Sequence, residues 1–260
     1  MNELKKFESE CKKEISLMGA NKEIKILSND YIKKLNKLKY SYHFKHLGRP
    51  IIQYPQDIVA LQEIIWEVKP DLIIETGIAH GGSLILSASM LALIDVSDAI
   101  ESNVAINPRE SKRKVIGIDI DIRDHNKIEI EKHPMSTMIQ MIQGPSTDPE
   151  IVAKVKDIAK DYKKILICLD SNHTHEHVLN ELNAYANLTT VDSYCIVMDT
   201  VIEDLGENLE WVDRTWSVGN NPKTAVFEFL KENNNFKIDK SIDNKLQISV
   251  APDGYLKRVK

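Results

Sequence analysis

The sequence lacks several features that would place it in a common class. Its three cysteines, Cys11, Cys168 and Cys195, have no metal-ligand spacing, and the last two lie in apolar runs, which is typical of buried thiols in a reducing compartment. The net charge of −5 is opposite to the basic excess of a general nucleic-acid-binding protein. We see no apolar signal-peptide core, and no apolar run approaches the roughly 18 residues of a membrane span. We therefore expect a cytoplasmic protein with no nucleic-acid partner and no membrane span.

Repeats, low-complexity segments and recognisable linkers are also absent, which predicts one domain preceded by an arm. A chain of 260 residues with 42% apolar content can bury a full core and has a common size for one elaborated α/β domain. We divide it into an N-terminal helical arm and loop, residues 1–50, and a main domain, residues 51–260. Helical spacing of apolar residues reaches about residue 40, with Asn29-Asp30 as the expected break. The arm is expected to form a lid, an oligomer contact or both.

One stretch organises the rest of the chain, DLIIETGIAHGGSL at residues 71–84. Its apolar run, residues 72–74, predicts a buried parallel strand. Gly77, Gly81 and Gly82 supply a turn that a ligand can approach closely, and Ser83 is predicted to cap the helix that follows. The apolar face of that helix comprises Leu84, Ile85, Leu86, Met90, Leu91 and Ile94. Strand, glycine turn and helix together predict the nucleotide-binding corner of a doubly wound sheet.

The glycine spacing is G-x-x-x-G-G, which differs from the dinucleotide fingerprint G-x-G-x-x-G. Glu75 precedes the first glycine, where a carboxylate would repel a pyrophosphate. An acid there suits a ligand with a cationic group or a free amine, and S-adenosylmethionine has both a sulfonium and an amino group. The alternative is an ordinary strand-to-helix turn of some α/β protein.

Further strands are predicted over residues 115–121, 138–143, 165–169 and 194–198, followed by a final pair over 236–239 and 246–250, the second continuing to 259. An acid that ends the strand after the glycine corner commonly holds the ribose hydroxyls of an adenosine cofactor. Asp119 is our first choice for that role and Asp121 the alternative, since alternate strand residues share a face. Ser146 follows the next strand and is predicted to cap a helix that begins at Pro149.

Acids follow four of the predicted parallel strands, namely Glu75, Asp119, Asp170 and Asp199. Asp170 and Asp199 end neighbouring central strands, so their carboxylates can share one divalent ion, and oxygen ligands favour magnesium over zinc. His173 lies three residues after Asp170 and either binds the ion or acts as a base. We expect His175 and His177 to point elsewhere.

Several motifs together resemble the cephalosporin hydroxylase / rhamnosyl O-methyltransferase family, from about residue 50 to the end. They are ETGIAHGGSL at residues 75–84, GIDIDIR at 117–123, QGPSTD at 143–148, LDSNHTHEHVL at 169–179, MDT at 198–200, GNNPKTA at 219–225 and VAPDGYL at 250–256. The resemblance implies a Rossmann-like class I methyltransferase fold, with a mostly parallel seven-stranded sheet and an antiparallel C-terminal strand. It also implies S-adenosylmethionine and, often, Mg²⁺.

The same resemblance assigns roles to particular residues. The donor site would comprise Glu75, Gly77, His80, Gly81, Ser83, Asp119, Ser146 and Asp170. The metal ligands would be Asp170, Asp199 and His173, and the catalytic residues His173 and Asp170. Metal-dependent relatives often have two acidic or amide residues after the fifth strand, and here the first of that pair is Met198, which cannot bind a hard ion. The word hydroxylase finds no support, because the sequence has no iron facial-triad motif and no haem or flavin signature.

We therefore predict an S-adenosylmethionine-dependent O-methyltransferase, assisted by a metal, that acts on a sugar or another polyhydroxylated natural product. The alternatives are a non-catalytic adenosine-nucleotide-binding protein and an oxidoreductase, which the glycine spacing disfavours. Residues 203–222 form a predicted loop whose Trp211, Arg214 and Trp216 are expected to be an acceptor wall rather than a packing loop. Residues 40–55 are predicted to form a loop that either packs against the domain or forms part of the wall of the substrate site. A homo-oligomer is possible in this interpretation.

Overall fold

The computed structural model describes residues 2–206 and 214–260. The strands are β1 (Phe44–His46), β2 (Arg49–Ile51), β3 (Leu72–Thr76), β4 (Lys114–Asp119), β5 (Ile139–Gln143), β6 (Ile165–Leu169), β7 (Tyr194–Val197), β8 (Phe236–Ile238) and β9 (Tyr255–Arg258). The α-helices are α1 (Glu3–Ala20), α2 (Lys22–Asn36), α3 (Pro55–Val68), α4 (Gly82–Ser102), α5 (Asp124–Glu131), α6 (Pro149–Ala159), α7 (His175–Tyr185), α8 (Ile202–Leu205), α9 (Pro222–Glu232) and α10 (Lys240–Leu246).

Seven of these strands form one sheet in the order β5-β4-β3-β6-β7-β9-β8. The pairs from β5 to β7 are parallel, and β9 runs antiparallel to both of its neighbours. This confirms the predicted doubly wound sheet with an antiparallel C-terminal strand. The strand order reverses between β3 and β6, so the carboxyl ends of these two strands flank the crevice where such sheets bind ligands.

The central strands lie between two hydrophobic layers. Ile73 faces the layer that contains α3 and α4, and its neighbours Leu72 and Ile74 face the opposite layer, beside α7. All three side chains are fully buried. The predicted apolar face of α4 is buried along its whole length. Burial on both faces explains why residues 72–74 of β3 form an uninterrupted apolar run.

Helix α4 is the one place where the expected shortness of the apolar runs needs to be qualified among the described residues. Its length and composition would allow it to cross a membrane, and no other helix among the described residues meets those two criteria. Half of its most apolar window is buried inside the protein. It packs against β4 and α3, so it serves here as the central helix of the core.

The N-terminal arm consists of two helices, but the predicted break at Asn29-Asp30 is wrong. The chain breaks at Asn21, whose side chain accepts hydrogen bonds from the backbone N–H groups of Glu23 and Ile24 and so caps α2. Ile32 of α2 is buried in the core. Beyond α2, β1 and β2 pair as a short antiparallel hairpin within the predicted loop 40–55.

Two predicted caps and one strand are also wrong. Gly81 begins α4 in place of Ser83, and Asp148 caps α6 in place of Ser146, because its carboxylate accepts the backbone N–H of Glu150 at 2.8 Å. Residues 240–246 form α10, and residues 246–250 are not a strand. The backbone there is instead held by the buried carboxylate of Asp57 on α3.

Candidate functional site

The carboxyl ends of the central strands are joined by backbone hydrogen bonds that continue past the strands themselves. Asp170 N donates to Thr76 O at 2.9 Å, Gly77 N to Ile118 O at 2.7 Å, and Met198 N to Leu169 O at 2.9 Å. These bonds fix the first residues after β3, β6 and β7 at one edge of the sheet. The acids that follow the strands are therefore held by the sheet rather than by mobile loops.

The glycine turn lies directly against the end of β6. Gly77 has a φ of +87°, and a Cβ there would lie 2.0 Å from the carbonyl oxygen of Asp170. A Cβ on Gly82 would lie 2.2 Å from the carbonyl oxygen of Pro50. Only glycine allows both approaches. Together they bring the glycine turn, Asp170 and the segment after β2 around one cavity.

Asp119 supports the glycine turn from β4. Its Oδ2 accepts the N–H of Ile78 at 2.8 Å and lies 3.4 Å from the N of Ala79. The chain leaves the sheet at Ile120, so the predicted alternation of faces does not continue to Asp121, whose side chain is 72% exposed. The structure therefore places Asp119, our first choice, beside the turn and Asp121 in solvent.

Glu75 is a buried carboxylate behind the same turn. Its side chain accepts a hydrogen bond from the hydroxyl of Ser83, and none of the described lysines or arginines forms an ion pair with it. Burial raises the pKa of Glu75 to about 8, and the hydrogen bond from Ser83 offsets only part of that shift. A buried acid without a cation favours an ammonium or another positively charged group from a ligand.

Two residues that the sequence reasoning did not select hold the turn in place. Arg49 donates from Nε and Nη2 to the carbonyl oxygen of His80, at 3.0 and 2.6 Å. Asn126 of α5 donates to the carbonyl oxygen of Ala79 at 2.9 Å and accepts from Arg49 at 3.1 Å. The His80 ring lies 3.3 Å from the same Asn126 oxygen. Arg49 lies in the segment 40–55, which the sequence left open between a packing loop and a substrate wall.

Asp170, His173 and Asp199 come together, which confirms the predicted convergence. One ligand atom from each lies within 4.8 Å of the others. Burial is the main cause that raises the pKa of Asp170 well above its usual range, and the negative charges of Asp199 and Glu75 raise it further. Two carboxylates and an imidazole nitrogen match the donors of a divalent-ion site, and an ion would relieve this repulsion.

Met198 does not take part in this cluster. Its side chain is 1% exposed and belongs to the hydrophobic core, so it faces away from the carboxylates. Asp199 adopts a φ of +55°, a left-handed conformation that aspartate tolerates better than most residues. The turn at Asp199 thus directs its carboxylate toward His173 while Met198 stays in the core.

His175 and His177 point elsewhere, as predicted. His175 Nδ1 lies 2.7 Å from the hydroxyl of Thr224 on α9. His177 Nε2 lies 3.0 Å from the hydroxyl of Ser171 and 3.2 Å from that of Ser146. Ser146 is thereby attached to the segment after β6, which places the turn after β5 beside the same edge of the sheet.

The described end of the predicted loop 203–222 reaches the cluster. The Trp216 ring meets the His173 ring edge-on, with centroids 4.7 Å apart, and the Arg214 guanidinium lies 4.7 Å from the Trp216 ring centre. Trp211 lies outside the described residues. The loop begins with α8 and ends at Asn221, which caps α9. An aromatic side chain therefore borders the carboxylates.

The sequence and the fold both match known proteins. The family model described as rhamnosyl O-methyltransferase/CmcI matches residues 38–259. Rhamnosyl O-methyltransferase of Mycobacterium tuberculosis (strain ATCC 25618 / H37Rv) is 26% identical over 208 residues, which cover 78% of this chain and 73% of that protein. The protein of the same name from Mycobacterium leprae (strain TN) is 26% identical over 214 residues, which cover 82% of each chain.

Two solved structures share the fold. The CmcI-N160 apo-structure has a TM-score of 0.53 and 20% identity, and the match covers 84% of this chain and 77% of that one. The structure described as cmcI-D160 Mg-SAM has a TM-score of 0.51 and 20% identity, and the match covers 84% of this chain and 78% of that one. These similarities show that the chain shares the overall fold of those structures.

Proposed function

This chain belongs to the rhamnosyl O-methyltransferase/CmcI family and is an S-adenosylmethionine-dependent O-methyltransferase, and we propose that its acceptor is a hydroxyl group of a sugar. The observation that carries the proposal is the cluster of Asp170, His173 and Asp199 beside the glycine turn. A protein that only binds an adenosine nucleotide would need no such cluster. The glycine spacing does not favour a nicotinamide oxidoreductase.

The donor is proposed to lie across the glycine turn. Gly77 and Gly82 bring the turn close to Asp170 and Pro50, which form the cavity beside it. The buried carboxyl of Glu75 would be ionised by the amino group of the methionine part, whose positive charge offsets the cost of burying the carboxylate. Asp119 is proposed to accept the ribose hydroxyls, since a carboxylate has room for more hydrogen bonds than it makes here. Ser146, on the turn after β5, would face the adenine.

The cluster is proposed to hold Mg²⁺ through Asp170 and Asp199, with acceptor and water oxygens completing the shell. The donor set fits, because both carboxylates converge and lack a cationic partner apart from His173 among the described residues. A solved structure with the same fold is described as a Mg-SAM complex. When bound, a divalent ion would stabilise the negative charge that develops on the acceptor oxygen.

The chain's own residues would then position the reactants and remove one proton. The acceptor oxygen forms a bond to the donor's methyl carbon as the carbon–sulfur bond breaks, which converts the sulfonium to a thioether. We assign His173 Nε2 as the group that receives the hydroxyl proton. Trp216 would stack against the sugar ring and hold the oxygen in line with the methyl group.

Calorimetry and methyl transfer test this function. The protein should bind S-adenosylmethionine and S-adenosylhomocysteine but not NAD, and it should transfer a labelled methyl group to at least one member of a panel of rhamnosides and other glycosides. NAD binding without donor binding would support the oxidoreductase. Donor binding without transfer to any glycoside would contradict the proposed acceptor.

We propose a cytoplasmic location for the reaction. Cys11, Cys168 and Cys195 are all free thiols, and the last two are buried, which fits a reducing compartment. The division at residue 50 and the possible homo-oligomer stay predictions.

A further inference from the structure

A small cavity lies between the glycine turn and the segment that follows β2. Its wall includes Pro50, Gln53, Gly77, His80, Ser83 and Asp170. Arg49 fastens the start of this segment to the turn through the carbonyl oxygen of His80. The N-terminal hairpin therefore supplies one wall of the proposed donor site, in the stretch that the sequence left open between packing and substrate binding.

Gln53 is the unusual residue of this wall. It is 2% exposed, and its Oε1 is buried without a hydrogen-bond partner among the described residues. Its flanking residues Ile51 and Tyr54 belong to the hydrophobic core, so the backbone on either side is fixed. A buried amide oxygen that finds no partner in the protein lowers stability unless water or a ligand supplies the missing donor.

We propose that the Gln53 carboxamide binds the amino acid end of S-adenosylmethionine. Oε1 accepts a hydrogen bond from the donor's ammonium group, and Nε2 donates to the carboxylate. A carboxamide offers both an acceptor and donors, which is what a zwitterionic amino acid requires. This inference rests on the proposed function and adds to it a binding residue from outside the glycine motif.

The surrounding charges agree with this assignment. Glu75 is buried behind the turn and hydrogen-bonds Ser83, which lines the cavity. Asp170 lines it from the opposite strand. In their ionised forms both acids favour an ammonium group and disfavour a carboxylate, so the donor's carboxylate needs a neutral hydrogen-bond donor such as Nε2. Gln53 is positioned to hold that carboxylate without adding charge.

Gln56 provides a matched control. It is another glutamine near the start of α3, and its Oε1 also lacks a hydrogen-bond partner among the described residues. It does not line this cavity. Replacing Gln56 therefore removes a comparable side chain without touching the proposed contact.

The experiment compares S-adenosylhomocysteine with 5′-methylthioadenosine, which lacks the amino acid end, by calorimetry. Gln53→Met keeps the size of the side chain and removes its polar atoms, and Gln53→Ala removes the side chain. Each should weaken S-adenosylhomocysteine binding about ten- to a hundredfold, the effect of losing a hydrogen bond to a charged group. Binding of 5′-methylthioadenosine should change less than about twofold. Gln56→Met should leave both affinities unchanged.

Two results would overturn the inference alone. One is an unchanged affinity of Gln53→Met for S-adenosylhomocysteine, which would leave Gln53 with a structural role or a bound water. The other is an equal loss for both ligands, which would mean that the side chain only shapes the cavity. Failure of the unmodified protein to bind either ligand would overturn the proposed donor site and this inference with it.

Discussion

His173 Nε2 lies 3.5 Å from Oδ2 of Asp199, although one residue follows β6 and the other follows β7. The two strands are adjacent and parallel, and their carboxyl ends reach the same edge of the sheet. His173 would thus be within reach of a divalent ion that the two aspartates would hold, and of an acceptor hydroxyl placed beside them. Measuring the metal affinity of a His173 variant distinguishes whether His173 is a metal ligand or the base.

Replacing His173 should cost less metal affinity than replacing an aspartate. His173→Ala removes one neutral donor, whereas Asp199→Asn removes a negative charge, and hard ions depend mainly on carboxylate oxygen. Titration with Mn²⁺ should show at most a severalfold loss for His173→Ala and at least a tenfold loss for Asp199→Asn. His175→Ala, which faces Thr224, is the control. A larger loss for His173→Ala would make His173 a principal ligand and remove it as the base.

Trp216 should contribute to acceptor binding and not to donor binding. Trp216→Ala removes the ring beside His173 and should raise the acceptor KM about tenfold, the effect of losing one aromatic stacking contact. Trp216→Phe should recover most of the affinity. Trp66→Ala, at a half-exposed position on α3, should change nothing. If KM and kcat of Trp216→Ala matched the unmodified protein, the loop would be a packing element only.

Asp119 should contribute to donor binding. Asp119→Ala removes the carboxylate that faces the glycine turn and should weaken S-adenosylmethionine binding by about 1–3 kcal/mol, the range for a hydrogen bond to a charged group. Asp121→Ala should bind normally, because that side chain lies in solvent. The opposite pattern in calorimetry would transfer the ribose role to Asp121.

Glu75 should make the stability of the ligand-free protein depend on pH. Its pKa is raised from 4.5 to about 8 in the folded state, so its protonated form stabilises the fold at low pH, and that stabilisation is lost as the pH rises through about 8. Glu75→Gln lacks this loss, so its advantage over the unmodified protein should grow between pH 5 and pH 9, by about 4 kcal/mol. Urea unfolding at both values measures the difference. A difference that stays constant with pH would mean that Glu75 is already ionised in the fold.

The sheet and the edge that carries the site can be predicted from the sequence, because buried strands appear as short apolar runs and tight turns as glycines. The apolar run of β6 has no polar interruption, since both faces of that strand are covered, and Asp170 marks the point where the strand leaves the core. Gly77 and Gly82 signal close backbone approaches. Both features involve residues that are close together in the sequence, so a local sequence pattern is enough to predict them.

The rest depends on contacts between distant parts of the chain. Asp57 accepts hydrogen bonds from Ser249, Val250 and Tyr255, and that network holds a segment that reads locally as a strand. Ser83 turns toward Glu75, and so the predicted cap is lost. Gln53 lines the cavity beside the glycine turn only because the hairpin folds back over that turn. No local pattern encodes these contacts.

Methyl transfer before and after metal removal tests the central claim most directly. The protein is treated with a chelator, dialysed, and assayed for transfer of a labelled methyl group from S-adenosylmethionine to its glycoside acceptor, with and without added Mg²⁺. We predict that chelation abolishes transfer, that Mg²⁺ restores it, and that Asp199→Asn still binds the donor but is not restored. Full activity after exhaustive chelation would contradict a metal site at Asp170 and Asp199.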